Sequence, residues 1–578
     1  MSRAGGKGYV IVATVYLLGL FIGALDTGIV TPARTVIQAD LQVADQLGVW
    51  MITIYTLAYA AAIPVMGKLA DRLGRKYVYL GSVLLFGIGS LLCGLSQDMG
   101  SFTLLLVARA VQAIGGGGIM PVATAEFGTA FPREKRGMAL GLVGGVYGVA
   151  NVFGASAGSL ILDLFGQGNW QFIFYVNVPI CLFILVVGLL VLPNTKERES
   201  RPVDGLGICV LICMTLSLLY GLKNIDFFSF GTSVTSTDVY PFLLGFLVAI
   251  PLFIVVERHA SDPVINLSYF SNKSIVVTLG LSIITGVIMM GTIFVPQFAE
   301  NVMKMPSGSG GYFVIILAVF AGVGSPVSGK LIDRFGVKVV LGFGLGAAVA
   351  GSLFLAFVAT VFANVFTLVI SLILIGLGMG FTMGTPLNYM MLAQTEESEA
   401  NSALATLSLV RSIGTAVTPA IMVAFIAHAG VSMQDRIMDV LPEMGEIALG
   451  QSGAMSSGNG TNVSSETFEM NDDMLKLMQA SDVTTIVENT KTMAKSAIGQ
   501  MVGQTGMPQT SIDALEKSYI EKIDEQSALI EKTYQSTLNE GFRGAFTLVA
   551  ITSFAGVILL LFYREKPLEI EPKVVKRG

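Results

Sequence analysis

Long apolar stretches separated by short polar loops run along most of this chain. A helix crosses the hydrocarbon layer in about 20 residues, so runs of that length are the unit to count. Fourteen occur, at approximately 9–31, 47–69, 77–96, 102–125, 137–160, 171–192, 204–222, 239–257, 275–298, 311–332, 338–358, 364–392, 402–427 and 542–562. The first holds Asp26 and leads directly into further spans, so it reads as a span and not as a cleavable signal. The pattern predicts an all-α membrane protein.

The second and tenth runs end alike. Pro64-Val-Met-Gly67-Lys-Leu-Ala-Asp71-Arg72-Leu-Gly74-Arg75-Lys76 matches Pro326-Val-Ser-Gly-Lys-Leu-Ile-Asp333-Arg334-Phe-Gly336-Val-Lys338 at nine positions with a constant offset of 262. Each loop falls between the second and third helix of a block of six. The chain therefore divides into two six-helix bundles, spans 1 to 6 and 9 to 14, with spans 7 and 8 inserted, a parallel repeat about an axis along the membrane normal. The boundaries implied are 1–200, 201–262 for the inserted pair, 263–429, 430–541 for a long loop, and 542–578 for the last span and tail.

Only 13% of residues are charged and 53% are hydrophobic, roughly half the charged fraction of a soluble domain. With the N-terminus inside, the cytoplasmic segments hold 22 Lys and Arg, and the short outer loops only Arg34, Lys223 and Lys304. That bias predicts a multi-pass protein of the cell membrane with both termini cytoplasmic. Residues 430–541 carry 17 acidic and 7 basic residues on the outer side. After a Gly/Ser/Asn-rich stretch at 452–465, helical patterns over about 474–502 and 511–540 predict an extracytoplasmic helical hairpin. The second pattern aligns Leu515, Tyr519, Ile523, Ile530, Tyr534 and Leu538. The hairpin either guides substrate or a partner, or buries its own stripe.

Chemistry other than transport finds little support. Cys93, Cys181, Cys209 and Cys213 lie inside spans, where no disulfide is implied. Cys209 and Cys213 stand one turn apart without further ligands, so packing is the expected role and no metal is expected. His259 and His428 sit at span ends, and no nucleophile elbow or phosphate loop occurs.

Gly67-Lys-Leu-Ala-Asp71-Arg72-Leu-Gly74-Arg75-Lys76 resembles the signature loop of the major facilitator superfamily. The inserted pair, Leu25-Asp26, and Trp170-Gln-Phe-Ile-Phe-Tyr-Val-Asn177-Val-Pro179 resemble its fourteen-helix drug/proton antiporter branch. The resemblance implies alternating access, with Gly67, Asp71, Arg72, Gly74, Arg75, Asp333, Arg334 and Gly336 as gating loops. Asp71 would then meet a helix N-terminus of the other half. Charge bias alone explains the basic residues but not the repeated carboxylate.

A charge at the bilayer centre costs about 2.5–3.5 kcal/mol unless it faces protein or water. Asp26 fits two readings, a cavity-lining proton site or a carboxylate hydrogen-bonded to a neighbouring helix. Arg109, in Arg109-Ala-Val-Gln112, resembles a family motif, and its approach and release would tune the proton affinity of Asp26. Glu126 either faces the cavity or reaches the cytosolic interface, and Glu300 either handles protons or caps its helix. Arg411 faces the cavity or snorkels. The fifth span, Gly141 to Gly158, resembles the antiporter motif, with Ala155 in place of its proline and Ser159 in place of its second glycine. Tyr147 and Asn151 of that span, with Asp26, Glu300 and Arg411, are the candidate cavity residues.

The expected function is proton-driven export of hydrophobic or amphipathic small molecules, lipophilic cations being favoured by the buried carboxylates. A monomer in the lipid bilayer is expected, with the proton gradient as sole energy source, no cofactor and no nucleic acid. A carrier of lipid or another endogenous amphiphile is the nearest alternative, and a transporter-like receptor or scaffold a further one.

Overall fold

In hydrocarbon a backbone N–H or C=O has no water to bond, so every apolar run must close its own hydrogen bonds as a helix. The computed structural model describes residues 6–30, 33–43, 45–48, 50–131, 133–193, 204–260, 263–305, 310–383, 385–396, 399–440, 491 and 509–564. Among them there is no strand. The spans are α1 (Gly6–Ile29), α2 (Trp50–Leu73), α3 (Arg75–Asp98), α4 (Phe102–Ala130), α5 (Arg133–Phe165), α6 (Asn177–Val191), α7 (Gly205–Lys223) and α8 (Tyr240–His259). Then come α9 (Lys273–Met290), α10 (Gly311–Phe335), α11 (Val337–Phe354), α12 (Val365–Met383), α13 (Ala400–Val440) and α14 (Gln509–Leu561). Thirteen helices of the described residues are long and apolar enough to cross a membrane. The predicted fifth span, α5, is a 33-residue helix.

The repeat is visible in the turns. Gly74 alone links α2 to α3 and Gly336 alone links α10 to α11, with φ of 95° and 82°. That region is closed to side chains with a Cβ, so the recurring glycine lets each loop reverse within one residue. Lys76 then donates to the Leu189 carbonyl at 2.8 Å, and Lys338 to the Tyr563 carbonyl at 3.2 Å. Each lysine thus satisfies a carbonyl at the C-terminal end of the sixth helix of its own bundle. Topology bias had been the expected role of Lys76.

The bundles meet along two helix pairs, α5 with α10 and α2 with α13. Both contacts are backbone-close. A Cβ on Gly329 would lie 2.2 Å from the Gly137 carbonyl oxygen, and one on Gly67 2.4 Å from Ala405 Cβ. Ser325 Oγ also donates to the Gly141 carbonyl at 3.0 Å. Small residues allow helices this near an approach, and the packing follows from it. Of the inserted pair, α7 packs against α2, Trp50 stacking on Tyr220, and α8 packs on α7.

Two expectations change here. The second arm of the predicted hairpin is no separate element, because 511–540 and the last span form one 53-residue helix, α14. Likewise α13 extends unbroken to Val440. Of the predicted stripe, Ile523, Ile530, Tyr534 and Leu538 are buried, in company with Met433 and Ile437 of α13, and the side chains of Leu515 and Tyr519 lie outside the described residues. The first arm lies outside the described residues apart from Lys491, which pairs with Asp524 at 2.7 Å. Cys209 and Cys213 are exposed on α7 and do not pack in the core.

Candidate functional site

Three clusters of polar side chains stand out in an otherwise apolar body. The first is inside the N-terminal bundle. Asp26 on α1 accepts from Arg109 Nη1 at 2.8 Å, from Gln112 Nε2 at 2.8 Å and from Asn177 Nδ2 at 3.1 Å. Arg109 also donates to Gln112 Oε1 at 2.7 Å, and Gln112 to Ser90 Oγ at 2.7 Å. The guanidinium stacks 4.0 Å above the Tyr55 ring. Four helices, α1, α3, α4 and α6, therefore converge on one carboxylate. Asp26 is 0% and Arg109 2% exposed. In this conformation the oxygens of Asp26 hold three donors from neighbouring helices, the arrangement of the hydrogen-bonded reading. Its pairing with Arg109 was legible. Asn177 and Ser90 were not assigned a role, since nothing local tells which polar residue of another helix closes a network.

The second cluster joins the bundles at the face carrying the repeat loops. Asp71 accepts from the backbone N–H of Asn401 at 3.2 Å and of Ser402 at 2.9 Å, and from both of their side chains. These amides belong to the first turn of α13, where no earlier carbonyl can receive them, and an anion there also meets the positive end of the helix dipole. Asp333 makes the related approach, to the backbone of Gly137 and Met138 near the start of α5. Each half thus sets a carboxylate against the backbone of the other's fifth helix. Of the basic residues, Arg75 pairs with Glu126 at 3.0 Å, Arg334 lies over the Phe335 ring, and Arg72 Nη1 is buried without a hydrogen bond. Glu126 is thereby bound to the gating loop.

Beside this latch, Tyr269 and Asn266 donate to Glu399, just before α13. Burial, reinforced by Glu399, pushes the Tyr269 phenol up, so it stays a neutral donor. The signal for Asn401 and Ser402 was available in principle, as polar capping residues directly before an apolar run.

The third cluster lies between the halves. Arg411 on α13 is 6% exposed, and its guanidinium interacts electrostatically with Tyr147 of α5 and Tyr59 of α2. Tyr59 stacks on Tyr55, at 6.0 Å between centroids. Tyr147 and Arg411 stand ten residues after Gly137 and Asn401, so the two halves present related positions to each other. Asn151 lies on α5, its side chain outside the described residues. Glu300, expected at the cavity, instead accepts from the Gly310 backbone N–H at 3.0 Å at the start of α10. No group of His, Cys, Asp or Glu suited to a metal occurs among the described residues.

A family model described as Major Facilitator Superfamily matches residues 16–430. The sequence is 34% identical to an uncharacterized MFS-type transporter, YfiU, of Bacillus subtilis, over 75% of this chain and 82% of the relative. It is 30% identical to multidrug resistance protein 3 of the same organism, over 63% of this chain and 69% of that protein. A solved structure of the proton:xylose symporter XylE superposes with a TM-score of 0.51 at 13% identity, covering 71% of this chain and 87% of that one.

Proposed function

This chain belongs to the major facilitator superfamily, and from that premise we propose that it exports hydrophobic or amphipathic small molecules by alternating access, driven by protons. It is a multi-pass membrane transporter and not an enzyme. The finer reading rests on one observation above all, the repeat-related pair of carboxylates Asp71 and Asp333, each engaging the backbone of the opposite bundle. Such caps are individually worth about 0.3–2 kcal/mol, enough to bias a rocking equilibrium and weak enough to break each cycle. The loop face is taken as cytosolic, following the distribution of Lys and Arg.

The coupling site proposed is the Asp26–Arg109 pair. While Arg109 is in place the carboxylate stays charged, and separation of the two would leave Asp26 buried without its cation and ready to take a proton. Because Asp26 joins α1 to α4 and α6, its protonation would loosen the bundle from within. The multidrug name of one relative supports a broad apolar substrate class. The expected preference for cations loses its basis, since Asp26, Glu126 and Glu300 are all engaged.

Proteoliposomes containing the full chain and a fluorescent hydrophobic dye test the proposal. Dye extrusion that follows an imposed pH gradient and stops in Asp26→Asn is the expected result. Extrusion indifferent to the gradient would remove proton coupling. Transfer of labelled lipid without dye movement would favour the lipid alternative.

A further inference from the structure

Five charged side chains are buried among the described residues: Asp26, Arg109, Glu126, Glu257 and Arg411. Asp26 and Arg109 neutralise each other and Glu126 has Arg75, whereas Glu257, in the last turn of α8, keeps both oxygens buried without a hydrogen bond. Arg411 is the one cation of the five that has no carboxylate beside it. The groups that act on it are Tyr147 and Tyr59, neither of them a carboxylate. It stands eleven residues into α13, about 16 Å from the helix start and inside the 31-residue apolar span Ala400–Gly430, and is too buried to snorkel. The backbone of α13 at this point is pressed against α9, where a Cβ on Gly286 would lie 2.5 Å from the Arg411 carbonyl oxygen. The side chain interacts instead with α2 and α5 of the other bundle.

The atoms left over say what would complete it. Nε and Nη2 of Arg411 are buried and make no hydrogen bond. Those two nitrogens share one edge of the guanidinium, the edge whose parallel N–H bonds match the two oxygens of a carboxylate or phosphate. The Tyr55 hydroxyl, also buried, likewise has no hydrogen-bond partner, and Tyr55 interacts electrostatically with both Tyr59 and Tyr147. A fork of donors beside three phenol rings asks for an acceptor-only head on an apolar or aromatic body.

We propose that Arg411 anchors the oxyanion of an amphipathic anionic substrate, a carboxylate or phosphate carried on an aromatic or apolar body that packs against Tyr55, Tyr59 and Tyr147. This rests on the transport reading for its meaning, but the site itself is tested by binding alone. A permanently charged guanidinium in this position holds an oxyanion bidentately and repels a cation.

The test uses the purified full chain in detergent, with radiolabelled 2-naphthoate as probe and 2-naphthylmethanol as its neutral counterpart. Hydrogen bonds to a charged group of this kind are worth at least about tenfold in affinity. Wild type should bind naphthoate about tenfold or more tightly than the alcohol, and Arg411→Leu should erase that preference while still binding the alcohol. Arg411→Lys, which keeps the charge and loses the fork, should fall between. If Arg411→Leu does not fold, the lysine variant carries the same comparison. Equal binding of the two probes by wild type, or naphthoate binding unchanged in the variants, overturns the proposal. In nanodiscs, displacement of naphthoate by phosphatidate from wild type identifies a lipid headgroup as the source of the oxyanion, and no displacement identifies a free solute. Arg411-dependent naphthoate binding without gradient-driven dye extrusion sinks the transport reading and keeps the site. Extrusion with Arg411-independent binding does the reverse.

Discussion

Ser402 donates its backbone N–H to the Asp71 carboxylate at 2.9 Å, across the interface between two bundles that are 331 residues apart in sequence at this point. The contact exists because Gly67 lets α2 approach α13 closely and because the first turn of α13 has free amides.

Asp71→Asn keeps the shape and removes the charge, so the closed state of the loop face should lose about 1–2 kcal/mol. Spin labels at the exposed Leu73 and Phe335, one in each half, should show the longer-distance population growing about five- to thirtyfold. Asp333→Asn should do less, since Asp333 is exposed and solvent-screened whereas Asp71 is half-buried. An unchanged distance distribution in both variants would refute the latch.

Breaking the Asp26–Arg109 pair from one side strands a buried charge. Asp26→Asn or Arg109→Gln alone should each destabilise the N-terminal bundle by about 3–5 kcal/mol, and the double variant by clearly less than the sum. Thermal unfolding in detergent, run as a double-mutant cycle, reads this, and strict additivity would mean that the two do not interact.

Gly329→Ala should separate α10 from α5, because its Cβ would sit on the Gly137 carbonyl oxygen, backbone that cannot move aside. Transport should fall severely with the protein still monodisperse. Gly148→Ala is the control, its nearest neighbour Ala321 Cβ being 4.0 Å away, and should transport normally.

The continuity of α14 is testable by proline. Glu540→Pro, inside the unbroken helix, should cost about 3 kcal/mol and open the region to limited proteolysis. Removing the exposed Arg436–Glu540 pair by Arg436→Ala should shift stability by less than about 1 kcal/mol. Equal protease resistance of the proline variant would restore the separate arm expected from sequence.

The spans, the duplication and the membrane setting were determined by sequence alone, because each rests on a local signal: enough consecutive apolar residues to force a helix in lipid, and thirteen-residue loops similar enough to align by eye. The glycines of those loops carried their own explanation, confirmed in the positive φ of Gly74 and Gly336. What tertiary structure decided was how each buried charge is compensated. Asp26, Glu126 and Glu300 each allowed two readings from sequence, and in the structure one is held by α4 and α6, one by Arg75, and one accepts a backbone amide. Arg411 looked ambiguous and emerged as a buried cation with two unfilled donors on one edge. A charge in a low-dielectric interior is defined by the groups within a few ångströms, and for Asp26 and Glu126 those come from helices dozens to hundreds of residues away. No window along the chain contains that information, whereas the length of an apolar run contains all that a span requires.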